Sequence, residues 1–223
     1  MLRRAFEDSG LPVSRAGKSR LQLAFGTPLP VNAESNQEFM EFYMSEYILP
    51  DRMIRSLNEI LPAELAFEAV EQVAMNTPSL FSEINGADYS VDLTSPAACQ
   101  AIHDYAGLFH IEESEAILHA IDSFERAFEV MVIKHKTDKS LNAKEFVRAM
   151  GLSGDRNLLM VEVKIIDGKS VGIRHILQTL LHTQLDLPVK RDGLYIWKNE
   201  SKQSPLYPED EALQTRKHLM DYA

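Results

Sequence analysis

Cysteine is almost missing from this chain: Cys99 is the only one in 223 residues. That excludes a disulfide framework and any site needing several thiolates, such as a three-cysteine iron–sulfur cluster. Lysine and arginine are absent from residues 56–125, which hold thirteen acids and so a local charge of −13. Such a stretch repels phosphate backbones. No apolar run approaches the roughly 20 residues of a membrane-spanning helix. The opening Met1-Leu2-Arg3-Arg4-Ala5-Phe6 also lacks the apolar stretch of a secretory signal. A soluble, cytoplasmic protein is expected. Neither the glycine fingerprint of a doubly wound nucleotide fold nor an H-x-x-x-H or H-E-x-x-H pair occurs.

What is present suits a folded core. Hydrophobic residues make up 45% and charged residues 25%, and a chain of this length needs no covalent staple. The net charge of −10 is unevenly spread. Residues 1–31 carry a local +3, with Arg3, Arg4, Arg15, Lys18 and Arg20 against two acids, and residues 126–223 again carry +3. A nucleic acid could therefore meet only the two basic ends. The acidic middle either keeps the surface solvated or steers a basic partner.

Periodicity gives the expected elements. Residues 1–9 read as the last turns of a helix, stopped by Gly10-Leu11-Pro12. Strands are expected over 21–25, 38–43 and 65–73, with a helix over 51–61 capped by Asp51. Residues 76–88 read as a linker. A second set follows: strands over 89–93, 128–133, 158–166 and 193–197, and helices over 95–108, 110–121, 142–150 and 171–185. Ser95 before Pro96 is the expected N-cap of the first of these helices.

If an opening strand is restored, the first set takes the order βαββαβ, and the second has the same order with one helix inserted. The expected fold class is α+β: two side-by-side ferredoxin-like units, the first lacking its opening strand. The corresponding division is 1–75, a linker at 76–88, a second unit at 89–200, and a polar C-terminal helix or tail at 201–223.

Two segments carry candidate chemistry. The loop 14–20 places Arg15, Lys18 and Arg20 beside glycine and serine, a composition suited to phosphate contacts. Its Gly17-Lys18-Ser19 lacks the correctly spaced first glycine of a phosphate loop. Farther on, Lys190 and Arg191 are interleaved with Tyr195 and Trp197, a mixture that can neutralise and stack single-stranded RNA. A closing hairpin strand with Leu194 and Ile196 on its other side explains the same residues. The seven histidines do not fall at metal-ligand spacing; His175 and His182, seven apart, are two helical turns from each other. Cys99, between Ala98 and Ala101, reads as a small core residue, with His103 one turn on as the one thiol–imidazole pairing that could support an enzyme. No catalytic residue, metal ligand or cofactor site stands out.

Several short segments together resemble the radical-SAM-linked protein family: Leu2-Arg3-Arg4-Ala5-Phe6, Gly10-Leu11-Pro12-Val13-Ser14, and Leu23-Ala24-Phe25-Gly26-Thr27-Pro28-Leu29-Pro30-Val31 with Glu34-Ser35. Leu57-Asn58 with Leu61-Pro62, the strand from Tyr89, and Val189-Lys190-Arg191 with Gly193-Leu194-Tyr195 extend the resemblance to about residue 197. The resemblance implies fusion to, or gene adjacency with, a radical SAM protein, and a frequent neighbourhood of ribonuclease E/G and ribosomal-protein genes. It implies no catalytic residue. Relatives usually begin with a strand, whereas this chain starts inside the helix that follows it. Ala16-Gly17-Lys18-Ser19-Arg20-Leu21 stands where relatives commonly carry a Gly-Phe-Asn-Pro run.

The layout also resembles the tandem ferredoxin-like RNA-binding proteins of the CRISPR endoribonuclease type, a likeness of fold alone. The resulting expectation is a non-catalytic RNA-associated accessory module that partners a radical SAM protein. The competing expectation is a protein-interaction subunit that docks a basic partner through 56–125. An exposed strand edge left by the missing first strand would favour a weak homodimer.

Overall fold

A computed structural model describes residues 1–17, 20–134 and 139–206. The chain divides into two compact units, one holding residues 1–26, 39–83 and, of the described residues, 203–206, the other residues 27–38 and 84–202. Among the described residues, no helix is long and apolar enough to cross a membrane.

In the first unit, helix α1 (Leu2–Asp8) ends at Gly10, whose φ of 68° suits a residue without a side chain. Strands β1 (Arg15–Ala16) and β2 (Arg20–Leu21) form a short antiparallel pair. Strand β3 (Leu23–Phe25) is antiparallel to β5 (Met40–Phe42). Between β3 and β5 the chain visits the second unit, where β4 (Glu34–Ser35) lies. Helix α2 (Pro50–Asn58) starts with proline at its first turn and Leu49 at the cap, so Asp51 serves the first turn rather than the expected cap. Ala5, Phe6, Val13, Leu21, Leu57 and Leu61 form the core. Phe6 packs edge-on against Phe67 at 5.8 Å and tilted against Phe42 at 5.0 Å.

The strand expected over 65–73 does not form. A 3-10 turn (Ala63–Leu65) precedes it, and the Asn58 side chain takes both backbone groups of Phe67: Nδ2 donates to its oxygen at 2.9 Å, and Oδ1 accepts from its nitrogen at 2.7 Å. A side chain thus satisfies the polar groups a sheet ladder would have used. A short helix α3 (Leu80–Glu83) closes the unit.

The second unit is built on one long sheet. Strand β6 (Gly86–Asp92) leads to helices α4 (Pro96–Phe109) and α5 (Glu113–Arg126), then to a hairpin of β7 (Met131–Lys134) and β8 (Lys139–Asn142). A single turn α6 (Ala143–Phe146), strands β9 (Val147–Leu152) and β10 (Leu158–Lys164), helix α7 (Ile173–Leu180), and strands β11 (Val189–Lys198) and β12 (Ser201–Gln203) complete it. Ser95 caps α4 as expected, accepting from the Ala98 amide at 3.3 Å. The helix expected over 142–150 is a correction: only its first turn is helical, and Val147 onward pairs with β10. Its β-branched start and Gly151 fit a strand better than a helix interior. Of the polar C-terminal helix or tail expected over 201–223, residues 201–203 form strand β12 instead, and those from 207 onward lie outside the described residues.

The strand order is β12-β11-β6-β10-β9, and β6 is antiparallel to both its neighbours. β4 adds a parallel contact to the start of β11, Lys190 opposite Glu34. Ala87, Tyr89 and Val91 of β6 share one sheet face with Leu159, Val161 and Val163 of β10, and all are buried. The apolar stripes of α5 (Ile117, Ile121, Phe124) and α7 (Ile173, Ile176, Leu177) are buried as well. The opposite face holds Gly86, Asp88, Ser90 and Asp92 of β6 with Met160, Glu162 and Lys164 of β10. The observed class is α+β.

Candidate functional site

Strand β11 carries the C-terminal candidates, and a bulge decides where each one points. Arg191 pairs with Tyr89, but Gly193 pairs with Asp88, so Asp192 is an extra residue in the ladder. An uninterrupted strand would put Arg191 on the side of Tyr195 and Trp197, because side chains alternate. The extra residue reverses the parity. Lys190 joins the face of Tyr195, opposite Ser90, and Arg191 turns to the other face.

Arg191 is consequently interior, with no exposed surface, which corrects its expected place on an RNA-contacting surface. Its guanidinium is fully engaged within the second unit. Nη1 donates to both carboxylate oxygens of Glu38 and to the Thr27 carbonyl, each at 2.9 Å. Nη2 donates to the Pro28 carbonyl at 2.9 Å and, with Nε, to the Tyr89 hydroxyl at 3.2 and 3.3 Å. Glu38 also accepts from Ser35 Oγ at 2.6 Å. A buried charge is tolerable only with such complete pairing. Arg191 thus fastens residues 27–38 to the sheet.

Tyr195 and Trp197 lie on the other face, their ring centres 6.4 Å apart in an edge-on arrangement. Tyr195 is almost fully buried because Gly86, its cross-strand partner, has no side chain: a Cβ there would lie 2.1 Å from Tyr195 Cε2. Asn85 fixes Trp197 in turn. Its Oδ1 accepts from the Trp197 amide at 2.6 Å, and its Nδ2 donates to the Trp197 carbonyl at 3.1 Å.

Two cations that sequence reasoning did not single out complete this face. Arg148 is the extra residue of a second bulge, since Glu162 pairs with Ala149 and Val163 with Val147. Its guanidinium carbon sits 4.0 Å above the centre of the Trp197 ring. Lys202 Nζ lies 4.8 Å from the Tyr195 ring centre and bridges Asp88 at 2.8 Å and Glu162 at 2.8 Å. Nothing in sequence marks a bulge residue, so Arg148 was hidden. Lys202 stands near Lys198 in a polar stretch that reads only as a tail.

The electrostatics of this face follow from partial burial. Burial pushes the Asp88 carboxyl above its usual value, against the opposing pull of Lys202. Burial also works against the charge on Lys202, but hydrogen bonds to Asp88 and Glu162 outweigh it and hold its pKa above the ordinary lysine value. The Tyr195 phenol is pushed up by burial and then by the Asp88 carboxylate, while Arg148 pulls the other way. Even so, Tyr195 Oη makes no hydrogen bond of good geometry, and Arg148 Nε is likewise buried without a partner.

The other candidates lie elsewhere. Arg15 and Arg20 are exposed on the β1–β2 hairpin of the first unit; Lys18, between them, lies outside the described residues. Cys99 is exposed rather than in the core, and its thiol points back to the Leu93 and Thr94 carbonyls at 3.6 Å. His103 pairs instead with Glu113, Nδ1 to Oε1 at 2.7 Å, so no thiol–imidazole pair forms. His119 Nδ1 meets the Tyr105 hydroxyl at 3.0 Å, and the His182 ring lies tilted 5.9 Å from the same ring. Among the described residues no three His, Cys, Asp or Glu side chains converge as metal ligands.

An α+β chain with a largely antiparallel sheet and an aromatic–cation cluster on one face is thus defined. The family model described as an uncharacterized protein conserved in bacteria (DUF2344) matches residues 1–175, and the chain belongs to that family. No curated protein matches it.

Proposed function

We propose that the chain is a non-catalytic, RNA-associated accessory module working with a radical SAM protein in RNA or ribosome-related modification or processing. The observation that carries this reading is the cluster on the sheet face: Tyr195 beside Trp197, with the Arg148 guanidinium stacked 4.0 Å above the indole. The partly exposed Trp197 with its stacked cation suits the base and phosphate of a single strand, and the almost fully buried Tyr195 backs the indole. Exposed Arg15 and Arg20 add a second basic patch. In the second unit, the order β11-β6-β10-β9 with helices between β6 and β9 and between β10 and β11 supports the ferredoxin-like, split βαβ assignment. For the first unit that assignment rests on the sequence pattern alone. The partner comes from the resemblance carried by segments such as Leu23–Val31.

Filter binding with single-stranded and structured RNA at two salt concentrations tests the reading. Binding to single strands that weakens with salt, and weakens further when Arg148 or Arg20 is replaced by alanine, is expected; each lost phosphate contact should lower the salt slope by about 0.7–0.9. Undetectable binding at low salt removes the RNA reading. The alternative, docking of a basic protein, draws support from the exposed acids Asp104, Glu112, Glu113, Glu115 and Glu125 on and between α4 and α5. Co-purification with the radical SAM neighbour that is lost at high salt, without RNA binding, would favour it.

A further inference from the structure

We infer that Arg148 and Tyr195 form a subsite for one phosphate group, with Trp197 as the plate that holds the guanidinium in place. The inference deepens the RNA reading above and rests on it for the source of the phosphate.

The cations of this unit differ in how much of their charge is already used. Arg191 is committed to Glu38, Arg174 to Asp186, and Lys202 to Asp88 and Glu162. Among the described residues Arg148 forms no ion pair. The bulge turns it out of the ladder, and stacking on Trp197 restrains it without engaging its N–H groups in the plane of the guanidinium. A planar, oriented fork of donors with no anion is suited to a phosphate, which Arg can bind through two parallel hydrogen bonds.

A second, independent observation points to the same ligand. Tyr195 is 5% exposed, and its hydroxyl, beside the Arg148 guanidinium, makes no hydrogen bond of good geometry. Buried polar atoms are nearly always satisfied, so a phenol hydroxyl without a well-formed bond, beside a cation with no ion pair, leaves a place for an oxygen acceptor from outside the chain. A phosphate oxygen accepts from the phenolic O–H and from Arg148 together. Lys164 occupies the same cross-strand row, Lys164–Gly86–Tyr195, and adds positive charge there. The carboxylates that would oppose an anion, Asp88 and Glu162, are both held by Lys202. Gly86 is required in this row, because any side chain would displace the phenol.

Trp197 is the only tryptophan of the chain, so its emission reports this subsite directly. The full chain is titrated with inorganic phosphate, with a nucleoside monophosphate, and with an unstructured oligoribonucleotide. The same titrations are run on Arg148→Met, Arg148→Lys and Tyr195→Phe, and circular dichroism confirms that each variant is folded. A saturable change in emission is expected with all three probes, with the oligoribonucleotide at least tenfold tighter than inorganic phosphate. Arg148→Met should weaken it tenfold or more, Tyr195→Phe several-fold, and Arg148→Lys should restore only part of the loss. If the oligoribonucleotide binds on filters while Trp197 stays silent and Arg148→Met binds normally, the subsite is wrong and the RNA reading survives. If phosphate and mononucleotide respond in an Arg148-dependent way but the oligoribonucleotide is no tighter, the subsite stands and the RNA reading fails.

Discussion

The phenol ring of Tyr195 lies directly across the backbone of Gly86, so close that a Cβ on residue 86 would fall 2.1 Å from Cε2 and 2.7 Å from the hydroxyl. Gly86 does not have a left-handed φ; glycine is needed here for space. Its absence of a side chain lets an aromatic residue on β11 cover β6 and brings Tyr195 next to Trp197.

Gly86→Ala should therefore force the ring out of place and destabilise the protein by roughly 1–3 kcal/mol, the usual range for overpacking. The check is a double-mutant cycle followed by denaturant unfolding. With Tyr195→Ala already in place, the added alanine at 86 should cost far less, because the group it collides with is gone. Equal costs in both backgrounds would mean that the strain lies in the backbone of β6 and not in the ring.

The buried guanidinium of Arg191 makes a second prediction. Removing one partner of a buried pair leaves an uncompensated charge, so Glu38→Ala should destabilise by about 3 kcal/mol, toward the lower end for buried pairs because Glu38 is partly exposed. Arg191→Met fills similar volume without the charge and should cost less than Arg191→Ala. Limited proteolysis should show residues 27–38 cut faster in Glu38→Ala, since Thr27, Pro28 and Glu38 all hold to that one side chain. Unchanged cleavage would show that the β4–β11 pairing alone secures the segment.

Arg191 also shows where sequence reading stops. Periodicity was enough for most of the second unit: the Ser95 cap, helices α4, α5 and α7, and strands β6, β10 and β11 all follow from local pattern. It gave Tyr195 and Trp197 one side of their strand, as observed. It could not register Asp192 or Arg148 as extra residues, because a bulge is a property of the pair of strands, and one unpaired residue flips every neighbour's face. The expected strand at 65–73 failed for a related reason. Asn58, nine residues upstream of Phe67, competes for its backbone groups, and no local window contains that contest.

His103 should titrate above the ordinary imidazole value, because its hydrogen bond to Glu113, and then the carboxylate charge, favours the protonated ring. The raised folded-state pKa means that its contribution to stability is present below the unfolded value near 6.5. That contribution is lost as pH rises through the folded value. Both groups are exposed, so the effect on unfolding should be small. Proton NMR of the His103 ring should show its midpoint fall toward the unperturbed value in Glu113→Gln. An unmoved midpoint would assign the shift to Asp104, the other carboxylate acting on it.

The triad of Asp88, Glu162 and Lys202 should respond at both ends of the pH range, and in opposite senses from an ordinary ion pair at the acidic end. Burial raises the Asp88 pKa above 3.8 despite Lys202, so the folded chain holds that proton more tightly than the unfolded chain. Between 3.8 and the folded value, stability attributable to Asp88 should fall as pH rises, where a well-solvated salt bridge would show the reverse. Asp88→Asn should flatten this region. Lys202 is shifted up as well, so its contribution is present below about 10.5, the unfolded value, and disappears as pH climbs through the higher folded value. Lys202→Met should abolish the alkaline decline and push Asp88 further up, because its only nearby cation in the triad is removed. Chemical unfolding from pH 3 to 11 on the three proteins reads both limbs. If stability rises across the acidic limb in the parent chain and not in Asp88→Asn, attraction to Lys202 outweighs desolvation at Asp88, and the folded-state pKa of the carboxyl lies below its ordinary value.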